Sequence, residues 1–189
     1  MNISTVLLAG GESRRMGENK ATLLCRGKPL WQIQLELLRK LEPTEIFVSA
    51  RTDPVWRPGD AEFVADELPS RGPLSGLAAS LAHMRTKHLL ALAIDMPFMT
   101  EKYLTFLCNQ IEPGRGVIAK LEDRFEPLAA IYPLEASANV ESALSGEDFS
   151  MQTVVSRLAA EGKLRVTPLP SRESKLFLNL NELSDLATL

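Results

Sequence analysis

Glycines and positive charges are concentrated in the segment from Leu8 to Lys20, which reads LAGGESRRMGENK. Consecutive glycines such as Gly10 and Gly11 allow positive φ and let backbone N–H groups approach a ligand closely. Arginine binds phosphate oxygens through a planar fork of N–H groups, and lysine adds a compact positive charge. A solvated surface loop is the alternative interpretation. The position of the cations behind a Gly-Gly turn favours phosphate binding instead. These cations are Arg14, Arg15 and Lys20.

Two aspartates directly follow apolar segments and could act beside such a phosphate. Asp66 follows FVA, and Asp95 follows HLLALAI. A turn or cap is the common structural role of an aspartate in this position. A carboxylate 4 Å from one unit of phosphate charge is repelled by about 4 kcal/mol at an intermediate dielectric, whereas Mg²⁺ binds carboxylate and phosphate oxygens together. If Arg15 and Lys20 hold a phosphate, Asp95 is predicted to be a ligand of Mg²⁺.

Two further polar segments are candidates for a binding pocket. The run Gly72-Pro73-Leu74-Ser75-Gly76 reads as a loop that enters a helix, and its backbone could also contact the edge of a purine. Near the C-terminus, Asn179 and Asn181 alternate with leucines and should point to the same side. Asn181 is a plausible helix N-cap, which leaves Asn179 as a possible pocket residue.

Short apolar runs alternate with amphipathic stretches along the chain, and these elements must position the residues above. The predicted strands are 3–8, 45–50, 62–65, 88–94, 116–121, 127–132 and 164–167, and the predicted helices are 29–41, 73–85, 100–111, 135–144, 150–161 and one that begins at 181. Repeated strand–helix–strand units favour a three-layer α/β fold with a mostly parallel sheet. Ligands of such sheets bind beyond the carboxyl ends of the strands, where Gly10, Asp66 and Asp95 fall.

Composition restricts the class of protein. The 189 residues predict a single domain over 1–189, and a net charge of −3 argues against non-specific binding of nucleic acid. The longest apolar run, Leu89–Ile94, is too short to span a membrane, and no signal-peptide pattern is expected at the start. The two cysteines, Cys25 and Cys108, cannot form a disulfide framework, so we expect a reduced, cytoplasmic protein.

The segment LAGGESRRMGENK resembles the L-A-G-G-x-S-x-R-M-G-x-x-K signature of the molybdenum cofactor guanylyltransferases, the nucleotidyltransferases of the MobA type. Further segments resemble this family in the same order, so the likeness extends over nearly the whole chain. They are GKPLW (27–31), VADELPSRGPLSG (64–76), IDMPF (94–98), EPLAAIY (126–132) and NLNELSDL (179–186).

This resemblance implies a three-layer α/β/α, Rossmann-like nucleotidyltransferase fold and a Mg²⁺-dependent activity. Such enzymes join GMP from GTP to molybdopterin, which forms molybdopterin guanine dinucleotide and releases pyrophosphate. Partners implied by the resemblance are molybdoenzymes or a cofactor chaperone that receive the product. The implied GTP contacts are Leu8, Ala9, Gly10, Gly11, Lys20, Asp66, Gly76 and Asp95. The implied catalytic residues are Arg15, Lys20 and Asp95, with Asp95 also the metal ligand. Candidate pterin or pocket contacts are Gly72, Pro73, Asn179 and Asn181.

The chain departs from the family pattern at some positions. Ser49 stands where the family often has an asparagine, and it cannot form a two-pronged amide contact with a nucleoside. The role of Arg14 stays open. Two alternatives also stay open: a cytidylyltransferase that uses CTP and acts on the same pterin, and a non-catalytic protein that binds GTP or the cofactor. The G-P-L-S-G loop, Gly11 and the asparagine pair favour guanine.

Overall fold

The structure is a computed structural model that describes residues 2–10, 20–66 and 69–180. Within these residues, eight strands form one sheet in the order β10-β7-β9-β6-β1-β4-β5, with β8 paired to β7, and β2 and β3 form a separate hairpin. The strands are β1 (Ser4–Leu8), β2 (Leu24–Cys25), β3 (Lys28–Pro29), β4 (Glu45–Ala50), β5 (Glu62–Ala65), β6 (His88–Ala93), β7 (Gly116–Leu121), β8 (Arg124–Phe125), β9 (Ala129–Pro133) and β10 (Leu164–Pro168).

The sheet is mostly parallel, as predicted. The strands β6, β1, β4 and β5 run parallel to one another, and β10 runs parallel to β7. Strand β9 is antiparallel to both β6 and β7. Every residue of β6 is buried, which is the arrangement expected of an apolar strand without alternation that is covered on both faces.

Helices cover both faces of the sheet and complete the three layers. They are α1 (Leu30–Arg39), α2 (Pro73–His83), α3 (Glu101–Cys108), α4 (Ser137–Leu144) and α5 (Met151–Ala160). Helices α1 and α3 pack on one face against side chains such as Leu7 and Leu90. Helices α2, α4 and α5 pack on the other face against Val6 and Leu89. Side chains that alternate along β1 and β6 therefore supply two cores, one on each side of the sheet.

Local signals explain the limits of several helices. Pro73 occupies the first turn of α2, where its missing N–H group costs nothing. Thr100 caps α3, since its hydroxyl oxygen accepts a hydrogen bond of 3.3 Å from the backbone N–H of Tyr103. The helices described in 2–10, 20–66 and 69–180 do not combine the length and the apolar character needed to cross a membrane.

Candidate active site

A cavity lies at the carboxyl ends of β1, β4, β5 and β6. Backbone hydrogen bonds continue the sheet just beyond the strands and hold these ends together: Ala9 N–H donates to Ser49 O (2.8 Å), and Ile94 N–H donates to Leu8 O (3.2 Å). Nine of the residues predicted from the sequence line this cavity. They are Leu8, Ala9, Gly10, Lys20, Asp66, Gly72, Pro73, Gly76 and Asp95.

Lys20 and Asp95 form an ion pair in this cavity. Lys20 begins a short 3₁₀ turn, Lys20–Thr22, while Asp95 lies two residues beyond the end of β6. The Lys20 Nζ and Asp95 Oδ2 atoms are 3.1 Å apart, and each side chain is about one-fifth exposed (21% and 19%). A cation and a carboxylate separated by 75 residues in the sequence therefore meet where a phosphate or a metal can reach both.

Asp66 follows β5, and its side chain is hydrogen-bonded to Ser49, near the end of β4. The Ser49 hydroxyl donates a hydrogen bond of 2.6 Å to Asp66 Oδ1, and both residues are buried. The backbone N–H of Asp66 donates to Ala50 O at 3.0 Å. Burial raises the pKa of the Asp66 carboxyl group above its ordinary value, while the Ser49 hydrogen bond and the charge of Arg51 lower it.

Two glycines leave room for the Asp66 carboxylate. A Cβ atom at Gly10 would lie 2.2 Å from Asp66 Oδ2, and a Cβ atom at Gly76 would lie 2.6 Å from Ser49 Oγ and 3.2 Å from Asp66 Oδ1. Contacts shorter than 3 Å are not tolerated by real Cβ atoms, so a side chain at either position would displace the carboxylate or the hydroxyl. Glycine is therefore needed at Gly10 and Gly76 for close packing around Asp66.

The loop that enters α2 forms another wall of the cavity. Gly72 has a φ of +68°, in the left-handed region that favours glycine, and Pro73 begins the helix. The Ser75 hydroxyl oxygen accepts a hydrogen bond of 2.8 Å from the backbone N–H of Arg71. This turn aims the positive end of α2 towards the cavity lined by Gly72 and Gly76.

The C-terminal segment contacts the site through the backbone of Asp95. The backbone N–H of Leu180 donates to Asp95 O at 2.9 Å. Asn179 precedes this contact, but its side chain is exposed and lies outside the cavity lining. A pterin or pocket role for Asn179 stays a prediction.

Several predicted positions lie outside the described residues. These are Gly11, Arg14, Arg15 and Asn181, together with the predicted C-terminal helix. Their assigned roles stay predictions.

The carboxylates of the cavity suit a metal ion that also binds substrate. Among the described residues there is no group of three or more His, Cys, Asp or Glu side chains that could hold a metal by themselves. Mg²⁺, however, commonly uses one or two carboxylates and takes its other ligands from water and substrate phosphates. A single, partly exposed Asp95 carboxylate beside Lys20 fits an ion of this second kind, one that binds together with a phosphate.

Sequence reasoning missed part of the lining. Ala21, Ala93 and Leu128 contribute apolar surface, and Ser49 contributes a hydroxyl group that is committed to Asp66. The apolar residues carry no chemical signal in the sequence. The sequence marks Ser49 only as a departure from the family pattern, because its contact with Asp66 depends on the pairing of β4 with β5.

Solved structures of nucleotidyltransferases share this fold. Molybdopterin-guanine dinucleotide biosynthesis protein A from Archaeoglobus fulgidus matches with a TM-score of 0.78 at 24% identity, over 98% of this chain and 95% of that one. The 4-diphosphocytidyl-2C-methyl-D-erythritol synthase from Anaerococcus prevotii matches with a TM-score of 0.74 at 14% identity, over 98% and 93%. The fold is therefore that of the nucleotidyltransferases. It does not distinguish enzymes that use guanine nucleotides from those that use cytosine nucleotides.

Sequence relatives narrow this class. The family model of the MobA-like NTP transferase domain matches residues 5–161. A probable molybdenum cofactor guanylyltransferase from Opitutus terrae is 37% identical over 186 residues, which cover 97% of this chain and 92% of that protein. A molybdenum cofactor guanylyltransferase from Syntrophotalea carbinolica is 31% identical over 188 residues, with 96% and 88% covered. This chain belongs to the MobA-like nucleotidyltransferases, and the predicted likeness to the molybdenum cofactor guanylyltransferases is confirmed.

Proposed function

We propose that this protein transfers GMP from GTP to molybdopterin, with formation of molybdopterin guanine dinucleotide and release of pyrophosphate. The observation that carries the proposal is the cavity at the sheet edge, which brings Gly10, Lys20, Asp66 and Asp95 together from four separate parts of the chain. The guanylyltransferase relatives, which align over nearly the whole chain, support the choice of reaction and substrate.

The charges of the cavity orient the nucleotide. Asp95 follows β6 and Asp66 follows β5, and two strands separate them in the sheet. At the usual spacing of neighbouring strands, these strand ends are roughly 14 Å apart. Lys20 attracts phosphate at the β6 end, whereas the buried Asp66 carboxylate repels phosphate and accepts hydrogen bonds from neutral donors. We therefore assign the phosphates of GTP to Lys20 and Asp95, and its nucleoside to Asp66 and Gly76.

The transfer step needs a positioned nucleophile and stabilised charge. An oxygen of the molybdopterin phosphate forms a bond to the α-phosphorus of GTP, while the bond from that phosphorus to the β-phosphate oxygen breaks and pyrophosphate leaves. The attacking phosphate is already an anion, so no residue has to remove a proton from it. Lys20, backbone N–H groups near Gly10 and the predicted Arg15 offset the negative charge that develops.

Mg²⁺ is the metal ion that we assign to this site. Asp95 would hold it together with phosphate oxygens of GTP, where it would neutralise charge on the α-phosphate and the departing pyrophosphate. Lys20 lies 3.1 Å from one Asp95 oxygen and keeps this carboxylate oriented before the nucleotide arrives.

Guanine is the base that the relatives favour, and a direct comparison with cytosine tests the assignment. Release of pyrophosphate should be measured with Mg²⁺, molybdopterin and either GTP or CTP. GTP should support turnover at least about a hundredfold faster, because a mismatched base leaves buried polar groups unpaired. Faster turnover with CTP would favour the cytidylyltransferase alternative. Tight GTP binding without any product would favour a non-catalytic cofactor-binding protein.

The cytoplasm is the compartment that we propose. Cys25 and Cys108 are both buried and free, which supports a protein kept under reducing conditions. We also propose that the product is delivered to a molybdoenzyme or to a cofactor chaperone. Residues 1–189 would act as a single nucleotidyltransferase domain.

A further inference from the structure

Ser49 is a fully buried polar residue that the transfer step does not use. It lies near the end of β4, and its hydroxyl group donates its one proton to Asp66 Oδ1 at 2.6 Å. Hydrogen bonds to an ionised acceptor are shorter and about twice as strong as bonds between neutral groups. The Asp66 backbone is also bound to β4, through Ala50 O. Strand β4 therefore fixes both the backbone and the side chain of Asp66.

The surroundings of this hydrogen bond restrict the orientation of the carboxylate. Oδ1 is turned towards Ser49, while Oδ2 faces the position where a Cβ atom at Gly10 would lie. Gly76 closes the other side, within 3.2 Å of Oδ1 measured from its ideal Cβ position. The Ser49 hydrogen bond therefore restrains the carboxylate and leaves Oδ2 beside Gly10, at the lining of the cavity.

We propose that Ser49 is a positioning residue for nucleotide binding, which holds the Asp66 carboxylate so that Oδ2 accepts a hydrogen bond from a hydroxyl or N–H group of the GTP nucleoside. This inference rests on the proposed function, because it takes GTP as the ligand. Ser49 acts through Asp66 and needs no contact with GTP.

The hydrogen bond also favours the ionised form of the acid. Burial raises the pKa of Asp66, and among the described residues Ser49 and Arg51 lower it. Within the part of the chain that the structure describes, removal of the Ser49 hydroxyl leaves Arg51 as the neighbour that favours the carboxylate. Asp66 should then become protonated at a higher pH, which converts the hydrogen-bond acceptor that GTP needs into a neutral acid.

The test measures GTP affinity, turnover and their pH dependence in Ser49→Ala. We expect GTP to bind about ten- to a hundredfold more weakly, the range that corresponds to loss of one hydrogen bond to a charged group. Turnover at saturating GTP should change less than about threefold, since the lost interaction is the same in ground state and transition state. The acidic limb of the GTP-binding curve should move to higher pH. Ser49→Thr keeps the hydroxyl group but adds a methyl group at a fully buried position, and it should still bind GTP more tightly than Ser49→Ala.

The matched control is Ser4→Ala. Ser4 is also fully buried, and its hydroxyl group donates a hydrogen bond of 2.6 Å to a carboxylate, that of Glu45, at the opposite end of the sheet. This variant should lose stability without any shift in GTP affinity. If Ser49→Ala does not fold, Ser49→Cys keeps an unbranched side chain whose larger sulfur atom is a weaker hydrogen-bond donor, and it should lose GTP affinity in the same direction.

The outcomes separate this inference from the proposed function. Wild-type protein that binds no GTP would overturn the proposed function, and the positioning role with it. Wild-type binding that Ser49→Ala and Ser49→Cys leave unchanged would overturn the positioning role alone. An equal loss of affinity in Ser4→Ala would assign the effect to general destabilisation and would also overturn it.

Discussion

Gly10→Ala is the substitution whose effect follows most directly from the structure. The new methyl group would lie 2.2 Å from Asp66 Oδ2, so one of the two must move. Asp66 is buried and bound to Ser49, so a shift of its carboxylate strains that hydrogen bond. Overpacking of this kind costs about 1–3 kcal/mol in free energy of unfolding. A displaced carboxylate should also weaken GTP binding about tenfold or more, by loss of a hydrogen bond to a charged group.

Denaturant unfolding and GTP titration measure the two effects. Gly59→Ala is the matched control, because no atom lies within 4 Å of its ideal Cβ position and its φ is not in the left-handed region. It should change stability by about 0.5 kcal/mol or less and leave GTP affinity unchanged. A double-mutant cycle isolates the clash: in an Asp66→Ala background, Gly10→Ala should cost little, and the coupling free energy should exceed about 1 kcal/mol. Equal destabilisation in both backgrounds would refute the steric account.

Three further results are expected. Lys20→Ala and Asp95→Ala should each lower turnover about a hundredfold or more. The free energy of unfolding should change by only about 1 kcal/mol, as for other partly exposed ion pairs. Full activity of Asp95→Ala would contradict the metal assignment. Calorimetry should detect tight Mg²⁺ binding only when GTP is present, because the Asp95 carboxylate alone supplies too few ligands for the ion. Tight binding of Mg²⁺ without GTP would contradict this expectation. The raised pKa of Asp66 means that its protonated form stabilises the fold. This stability is fully present below the ordinary carboxyl pKa of 3.8 and is lost as pH rises through the raised value. The stability of the wild type relative to Asp66→Asn should therefore fall with pH across that window, and a difference independent of pH would contradict it.

The strand ends could be predicted from the sequence because their signals are local. The apolar run before Asp95 marks a buried strand, and parallel strands bring their carboxyl ends to one edge of the sheet, so the meeting of Gly10, Asp66 and Asp95 follows from the fold class. Lys20 is harder to place, since it lies ten residues beyond Gly10. Its ion pair with Asp95 agrees with the phosphate and metal hypothesis but could not be read from spacing alone.

Features that depend on pairing between distant segments could not be predicted from the sequence. The direction of β9 is one example: AAIYP is apolar throughout, and nothing in it distinguishes an antiparallel strand from a parallel one. The hairpin of β2 and β3 is another, since two-residue strands are too short to show a period. Its turn contains Arg26 at a φ of 53° and Gly27 at 78°. The contact of Ser49 with Asp66 depends on the register of β4 with β5, which no local pattern encodes.

Transfer of GMP to molybdopterin is tested most directly by following labelled phosphates of GTP into the products. The protein should be incubated with Mg²⁺, molybdopterin and GTP labelled on either the α- or the γ-phosphate. We predict that the α-label appears in molybdopterin guanine dinucleotide, identified by mass, and that the γ-label appears in pyrophosphate. Release of the γ-label as inorganic phosphate, or absence of the α-label from any pterin product, would contradict the account.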